Sequence, residues 1–289
     1  MESGRRASRS RRVLAWLAPA GLVLALMLPG VNTAADVTTA GPGQAGGLGQ
    51  AGNPGQAGGT GHAGTADRGA LAGKVVGIDP GHNGLNYTDP AFLSRKVWNG
   101  REWEGCDTTG TRTAGGYTEA RFTWNVATYL RADLVAMGAR VVLTRSGNHG
   151  LGPCVDRRAQ ILNRAHANVS VDIHADYGPS AGRGFSILEP VADGPNNAVI
   201  GSSARFGRDV HATMLRYTPL PVSNYYGRDG YVTRDDLAGL NLTTMPKVLV
   251  ECGNMHNATD AALLVKPSVQ RRVAAALAAA IARFLTTRG

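Results

Sequence analysis

From Lys74 onward the chain alternates short, continuously apolar runs with longer stretches whose apolar residues recur about once per helical turn, and this alternation restricts the fold most. Lys74–Asp79 is β-branched and stops at Pro-Gly. Arg140–Thr144, Ser170–His174 and Lys247–Glu251 read as strands of the same kind, with Ser186–Leu188 a shorter one. Phe122, Val126, Leu130, Leu134 and Met137 share one face of a helix predicted over 120–137 and closed by Gly138. Further helices are expected over Val155–Asn168, Ala198–Tyr217 and Ser268–Leu285, the last aligning Val269, Val273, Leu277, Ile281 and Leu285. Strands apolar on both faces and separated by helices join in parallel. The expectation is therefore a single α/β domain over 71–289, a mostly parallel, mixed and twisted sheet with helices on both faces.

The residues before this domain are of another kind. Arg5, Arg6, Arg9, Arg11 and Arg12 stand against Glu2, Val13–Leu28 is nearly all apolar, and Thr33, Ala34 and Ala35 are small. This pattern predicts a signal peptide over 1–35, removed on export. Pro19 and Gly21 interrupt the apolar run, which is shorter than the ~20 residues of a spanning helix, so no stable membrane span is expected after cleavage. Ser10-Arg11-Arg12-Val13-Leu14 also resembles a twin-arginine export signal. Residues 36–70 are Gly, Ala, Gln, Pro and Thr with few large apolar side chains and read as a flexible tether. Glycine does not recur at every third position, which excludes a collagen-like segment.

The leader's five arginines against one glutamate supply +4 of the formal charge of +9. The basicity that remains is modest and lacks a cluster interleaved with aromatics, so no nucleic-acid partner is expected. Export permits oxidation of cysteine. Cys106 and Cys154 sit in polar, glycine-rich stretches and are expected to pair, leaving Cys252, inside VLVECG, as a small buried thiol; a catalytic thiol there is the sharper alternative.

Four residues carry candidate chemistry. His82 follows a strand and a Pro-Gly turn, His174 ends a strand, and Glu119 opens a helix, where a carboxylate also complements the helix dipole. Glu251 lies at the end of an apolar strand, where a carboxylate is costly unless paired, protonated or bound to metal. Of the other histidines, His62 falls in the tether, His166 and His211 on predicted helices and His149 and His256 in polar loops. Ligands of parallel sheets gather beyond the carboxyl ends of strands, so His82, His174 and Glu251 are expected to converge, with Asp89–Gly116 and Pro190–Asn197 as a rim. Two neutral imidazoles and one carboxylate leave a fourth position on zinc open, while a separate glutamate moves protons.

GIDPGHNG at 77–84, the helix start at Glu119, TRSGNHG at 144–150 followed by DRRAQILNRAHANVSVDIHAD, and VLVECGNMHNATDAALL together resemble the zinc-dependent N-acetylmuramoyl-L-alanine amidases of the amidase-3 family, especially small exported actinobacterial members. The likeness runs from about Lys74 to the C-terminus. It implies His82, Glu119 and His174 as ligands of Zn2+, Glu251 as the catalytic carboxylate, and Arg145, Arg158 and Asn163 as scaffold. The activity it implies is hydrolysis of the amide joining N-acetylmuramic acid to L-alanine in peptidoglycan or muropeptide fragments. The implied location is periplasm, cell wall or outside the cell. Two departures stand out: ECGNMHN, where the family often continues with a glycine, a phenylalanine and Ser-Asn, and Asp172, where a serine often precedes the Ile-His pair. The alternatives are a zinc peptidase cutting within the stem peptide and a non-catalytic wall-binding or regulatory module. With no glycan-binding repeats after the tether, the substrate is expected to be soluble fragments and the protein a monomer.

Overall fold

The computed structural model describes residues 69–287; the leader expected at 1–35 and nearly all of the tether at 36–70 lie outside the described residues. The elements in chain order are β1 (Val75–Pro80), α1 (Pro90–Leu93), β2 (Lys96–Trp98), β3 (Trp103–Gly105), α2 (Glu119–Ala136), β4 (Arg140–Leu143), α3 (Val155–Arg164) and β5 (Val169–Asp176). They continue with β6 (Ser186–Pro190), α4 (Ile200–Tyr217), β7 (Tyr231–Arg234), α5 (Ala238–Asn241), β8 (Lys247–Asn254), α6 (Ala258–Leu264) and α7 (Pro267–Thr286).

Six strands form one sheet in the order β4-β1-β5-β8-β6-β7. The first four are mutually parallel, β6 runs antiparallel to β8, and β7 follows β6 in parallel. The mixed, mostly parallel α/β sheet is therefore present. One face is covered by α2 and α4, with α7 packed across both; Phe122, Val126, Leu130 and Leu134 of α2 and Val273, Leu277 and Ile281 of α7 are buried between them. Alanines at 274, 276, 278 and 280 are buried on α7, and their small side chains allow close helix approach. On the other face, Leu162 of α3 meets Met245, and Leu240 of α5 meets Leu188 and Leu249.

Local chemistry sets the boundaries. Thr118 caps α2 by accepting from Arg121 N, and Gly138 follows its end with φ 92°. The expected continuation of the third helix to Asn168 does not form. His166 turns left-handed at φ 49° and Asn168 N donates to Val75 O at 2.7 Å, drawing the chain into β5. Strands β5 and β8 run past their expected ends, to Asp176 and Asn254. The stretch 89–116, expected as a loop, contains the β2–β3 hairpin, in which Trp98 pairs with Trp103. Strand β7 and the short α5 and α6 were not expected from periodicity, since four to seven residues show too little of it. Among the described residues no helix is long and apolar enough to cross a membrane.

Candidate active site

Strand β1 delivers His82 through the Pro80-Gly81 turn. His82 takes φ 58°, a conformation that a non-glycine residue adopts only when its surroundings hold it. Arg158 does the holding, donating from Nη1 to Pro80 O at 2.7 Å and from Nη2 to His82 O at 2.8 Å. Asp107 Oδ1 lies 3.1 Å from His82 Nδ1, which turns Nε2 towards Glu119 Oε2 at 3.2 Å. Gly110 at φ 70° faces this pair, and a Cβ there would stand 2.7 Å from His82 Cδ2.

Glu119 is the first residue of α2 and only 2% exposed. Its Oε2 accepts from Thr111 N at 2.8 Å and its Oε1 from Ala175 N at 3.0 Å, so both oxygens are aimed. Oε1 also lies 2.9 Å from His174 Nδ1. His174 stands inside β5 rather than at its end, and its ring rests on Gly81, where a Cβ would overlap it. One donor atom each from His82, Glu119 and His174 all lie within 4.8 Å of one another.

This donor set fits zinc: three protein ligands of N and O type, with the outer nitrogen of each imidazole set against a carboxylate. Asp107 serves His82, and Asp172, one of the two departures in sequence, serves His174 at 3.3 Å from Nε2. The electrostatics agree. Burial opposes charge on His82, but Glu119 and then Asp107 outweigh it and raise its pKa to about 9. Burial likewise opposes charge on His174, and Asp172 and Glu119 raise its pKa well above the usual value. Glu119, although buried, is held well below the usual range by the two histidines. The centre is built for positive charge.

Glu251 on β8 is the register partner of His174 on β5. Its Oε2 is buried with no hydrogen-bond partner. Burial, reinforced by Glu119 and Asp176, raises its pKa to about 8 against the opposing histidines. All four residues line one cleft of about 550 Å³. The next residue, Cys252, points to the other side of the strand into the core, and burial pushes its thiol well above the usual range. A thiol so suppressed is no nucleophile.

Other expected positions sort by their contacts. Cys106 and Cys154 are joined, tying the end of the hairpin to the start of α3. Arg145 donates to Pro80 O, Ala120 O and Gly147 O, and Asn163 ties α3 to Leu242 and Thr244. His211, half-buried on α4, stacks on Tyr231 at 4.8 Å. His256 stacks on Tyr177 at 4.3 Å, and Asn254 accepts from Gly178 N and His256 N, so the unusual ECGNMHN segment organises a loop. His149 and His166 stand outside the cleft, and His62 lies outside the described residues. Of the two expected rims, Glu104–Thr111 contributes, but Pro190–Asn197 does not; Asp193 braces the hairpin at Arg101 instead, and Arg234 with Leu237–Gly239 closes that side. Asp79, Asp107 and Lys247 were missed in sequence, since a lone acid or base in a strand or loop carries no spacing signal.

The family model for N-acetylmuramoyl-L-alanine amidase, Amidase_3, matches residues 76–283. The chain is 44% identical over 221 residues to N-acetylmuramoyl-L-alanine amidase Rv3717 of Mycobacterium tuberculosis, covering 76% of this chain and 89% of that protein. Its fold matches the crystal structure of the N-acetylmuramyl-L-alanine amidase Ami1 from Mycobacterium smegmatis at TM-score 0.71 and 41% identity, over 75% of this chain and 99% of the other. Apo Ami1 from Mycobacterium abscessus matches at TM-score 0.70 and 40% identity, over 74% and 100%.

Proposed function

The chain belongs to the amidase-3 family of N-acetylmuramoyl-L-alanine amidases, and from that premise we propose that His82, Glu119 and His174 hold a zinc ion while Glu251 moves the proton in its amidase reaction on peptidoglycan. The observation that carries this reading is the convergence of three donor atoms within 4.8 Å beside a carboxylate whose buried Oε2 has no partner. A group left unsatisfied in a cleft is free to bond a reacting atom.

Bound zinc supplies Lewis acidity at the scissile carbonyl and acidifies a water. Glu251 takes the proton from the attacking water and returns it to the nitrogen of L-alanine as the amide breaks. Burial and the neighbouring Glu119 and Asp176 raise its pKa above the ordinary carboxylate range in the metal-free protein, which favours the form that returns the proton to the departing amine. His82 Nε2 and His174 Nδ1 face the Glu119 carboxylate, the side on which zinc would be held, and Asp107 and Asp172 stand behind the two rings.

The leader and tether support export and action at the wall, with the catalytic domain working as a monomer on muropeptide fragments. The test is a muropeptide digest analysed by mass spectrometry alongside metal analysis, comparing the parent, chelator-treated protein and Glu251→Ala. Release of an intact stem peptide by the zinc-loaded parent supports the reading. Cleavage within the stem, or undiminished turnover by Glu251→Ala, overturns it.

A further inference from the structure

Behind the two imidazoles, away from the face they turn to Glu119, runs an unbroken row of buried charges. Asp107 touches His82 Nδ1 through Oδ1 at 3.1 Å and lies 3.5 Å from Arg158 Nη2 through Oδ2. Arg158 Nη1 donates to Asp79 Oδ1 at 2.9 Å, and Lys247 Nζ donates to Asp79 Oδ2 at 2.9 Å. Lys247 Nζ lies 3.5 Å from Asp172 Oδ2, and Asp172 Oδ1 lies 3.3 Å from His174 Nε2. The row begins at one histidine and ends at the other.

Strand register explains the assembly. Asp79 on β1 is directly opposite Asp172 on β5, and side chains in register on neighbouring strands share a face, so two carboxylates are forced side by side under α5. Lys247 enters from β8 and neutralises both; it is 1% exposed. Gly239 in α5 leaves the room, since a Cβ there would stand 3.1 Å from Lys247 Nζ and 3.2 Å from Asp172 Oδ2. Asp172 and His174 are two apart on one strand and therefore point the same way. Asp172 Oδ1 is buried without an aligned donor, so the outer nitrogen of His174 is the group it has left to serve.

Buried charge pairs add little to stability compared with apolar residues of similar size, so a row of five needs another reason to exist. We propose that Asp172 and Lys247 are positioning residues of the metal centre: Asp172 fixes the outer nitrogen of His174 so that Nδ1 faces the ion, and Lys247 fixes Asp172. The arrangement mirrors the service that Asp107, itself anchored by Arg158, gives to His82. This rests on the zinc reading above, and it makes metal affinity depend on a lysine that touches neither ligand.

The test measures the zinc dissociation constant by competition with a chromophoric chelator, together with thermal unfolding of the metal-free protein. The proteins are the parent, Asp172→Asn, Asp172→Ala, Lys247→Met, the double variant Asp172→Asn/Lys247→Met, and His174→Ala. Asp172→Ala is expected to weaken zinc binding about 10- to 100-fold. Asp172→Asn is expected to fall between it and the parent, because an amide oxygen keeps an acceptor, without the charge, near His174 Nε2. Lys247→Met weakens zinc while leaving Asp107 and His82 in place; if two unpaired acids prevent its folding, the double variant carries the same expectation with one acid neutralised. Parent-like zinc affinity in folded Asp172→Ala and Asp172→Asn overturns the proposal, as does a loss of affinity that merely tracks lost metal-free stability. A parent that binds zinc no better than His174→Ala overturns the zinc reading itself, and this proposal with it.

Discussion

His174 of β5 and Glu251 of β8 are direct partners across two parallel strands. Neighbouring strands lie about 4.8 Å apart, so the histidine and the carboxylate are held by backbone pairing, not by a flexible loop. Just past this rung the register shifts by one residue, from His174 opposite Glu251 to Asp176 opposite Asn254, a bulge beside the cleft that both strands line.

Substituting Glu251→Gln keeps the shape of this rung and removes the carboxylate proposed to move the proton. Turnover of muropeptide is expected to fall about 10²- to 10⁴-fold with zinc content unchanged. Parallel kinetic and metal assays check it: a variant that loses zinc as readily as activity assigns Glu251 to the ligand set.

Gly81→Ala tests how tightly the centre is packed. The added methyl overlaps the imidazole of His174, which has the Glu119 carboxylate on one nitrogen and Asp172 on the other and nowhere to retreat. Overpacking of this kind costs about 1–3 kcal/mol in stability. Zinc affinity and activity are expected to fall together by more than tenfold, since misaligned second-sphere support alone changes affinity by about 10- to 100-fold. Retained affinity in the folded variant, read by chelator competition, shows that the ring has room the structure does not give it.

The sheet, its long helices and the four central residues were legible because each leaves a local signature: a β-branched run, a face repeated every turn, a histidine after Pro-Gly. Asp79, Asp107 and Lys247 were not, because their significance lies in register between β1, β5 and β8, which no single segment encodes. Lys247 is the instructive miss. In the sequence it stands only as the first residue of an apolar strand, yet three parallel strands fold it under α5 between two acids. His211 lies on the helix expected for it, and its stack on Tyr231 of β7 is a contact that helix spacing does not encode. The hairpin escaped because its strands have three residues each, too few for alternation to show.

The Cys106–Cys154 bond spans 48 residues and holds Asp107, the next residue along, against His82. Replacing both cysteines by alanine is expected to lower stability by about 2–4 kcal/mol. It should also weaken zinc binding, because Asp107 then rides on a freed hairpin. Chemical denaturation and zinc titration of the double variant measure the two effects separately; weakened stability with parent-like zinc affinity dissociates the bond from the centre.

Stability of the metal-stripped protein should decline as pH rises from mildly acidic to alkaline, and the sign follows from two groups. Glu251 moves from an ordinary 4.5 to about 8 on folding, so between those values the folded chain holds a proton that the unfolded chain has released. His82 moves from 6.5 to about 9, with the same consequence over its own interval. Where the folded state binds more protons, unfolding becomes easier as protons grow scarce. Glu119 acts oppositely and only in acid: held well below its usual value, it stabilises above about 4.5 and loses that contribution as pH falls further. Glu251→Gln deletes the first contribution. Stripped variant and parent should therefore be about equally stable near pH 4.5, with the variant gaining progressively to about pH 8, by at least ~1 kcal/mol, and no further above it. Saturating zinc abolishes the decline in the parent, because the ion binds deprotonated imidazoles and its affinity grows with pH. Urea unfolding of both stripped proteins across pH 4.5 to 9 decides it: a flat difference means that the Glu251 carboxyl is not held protonated by its surroundings in the stripped protein.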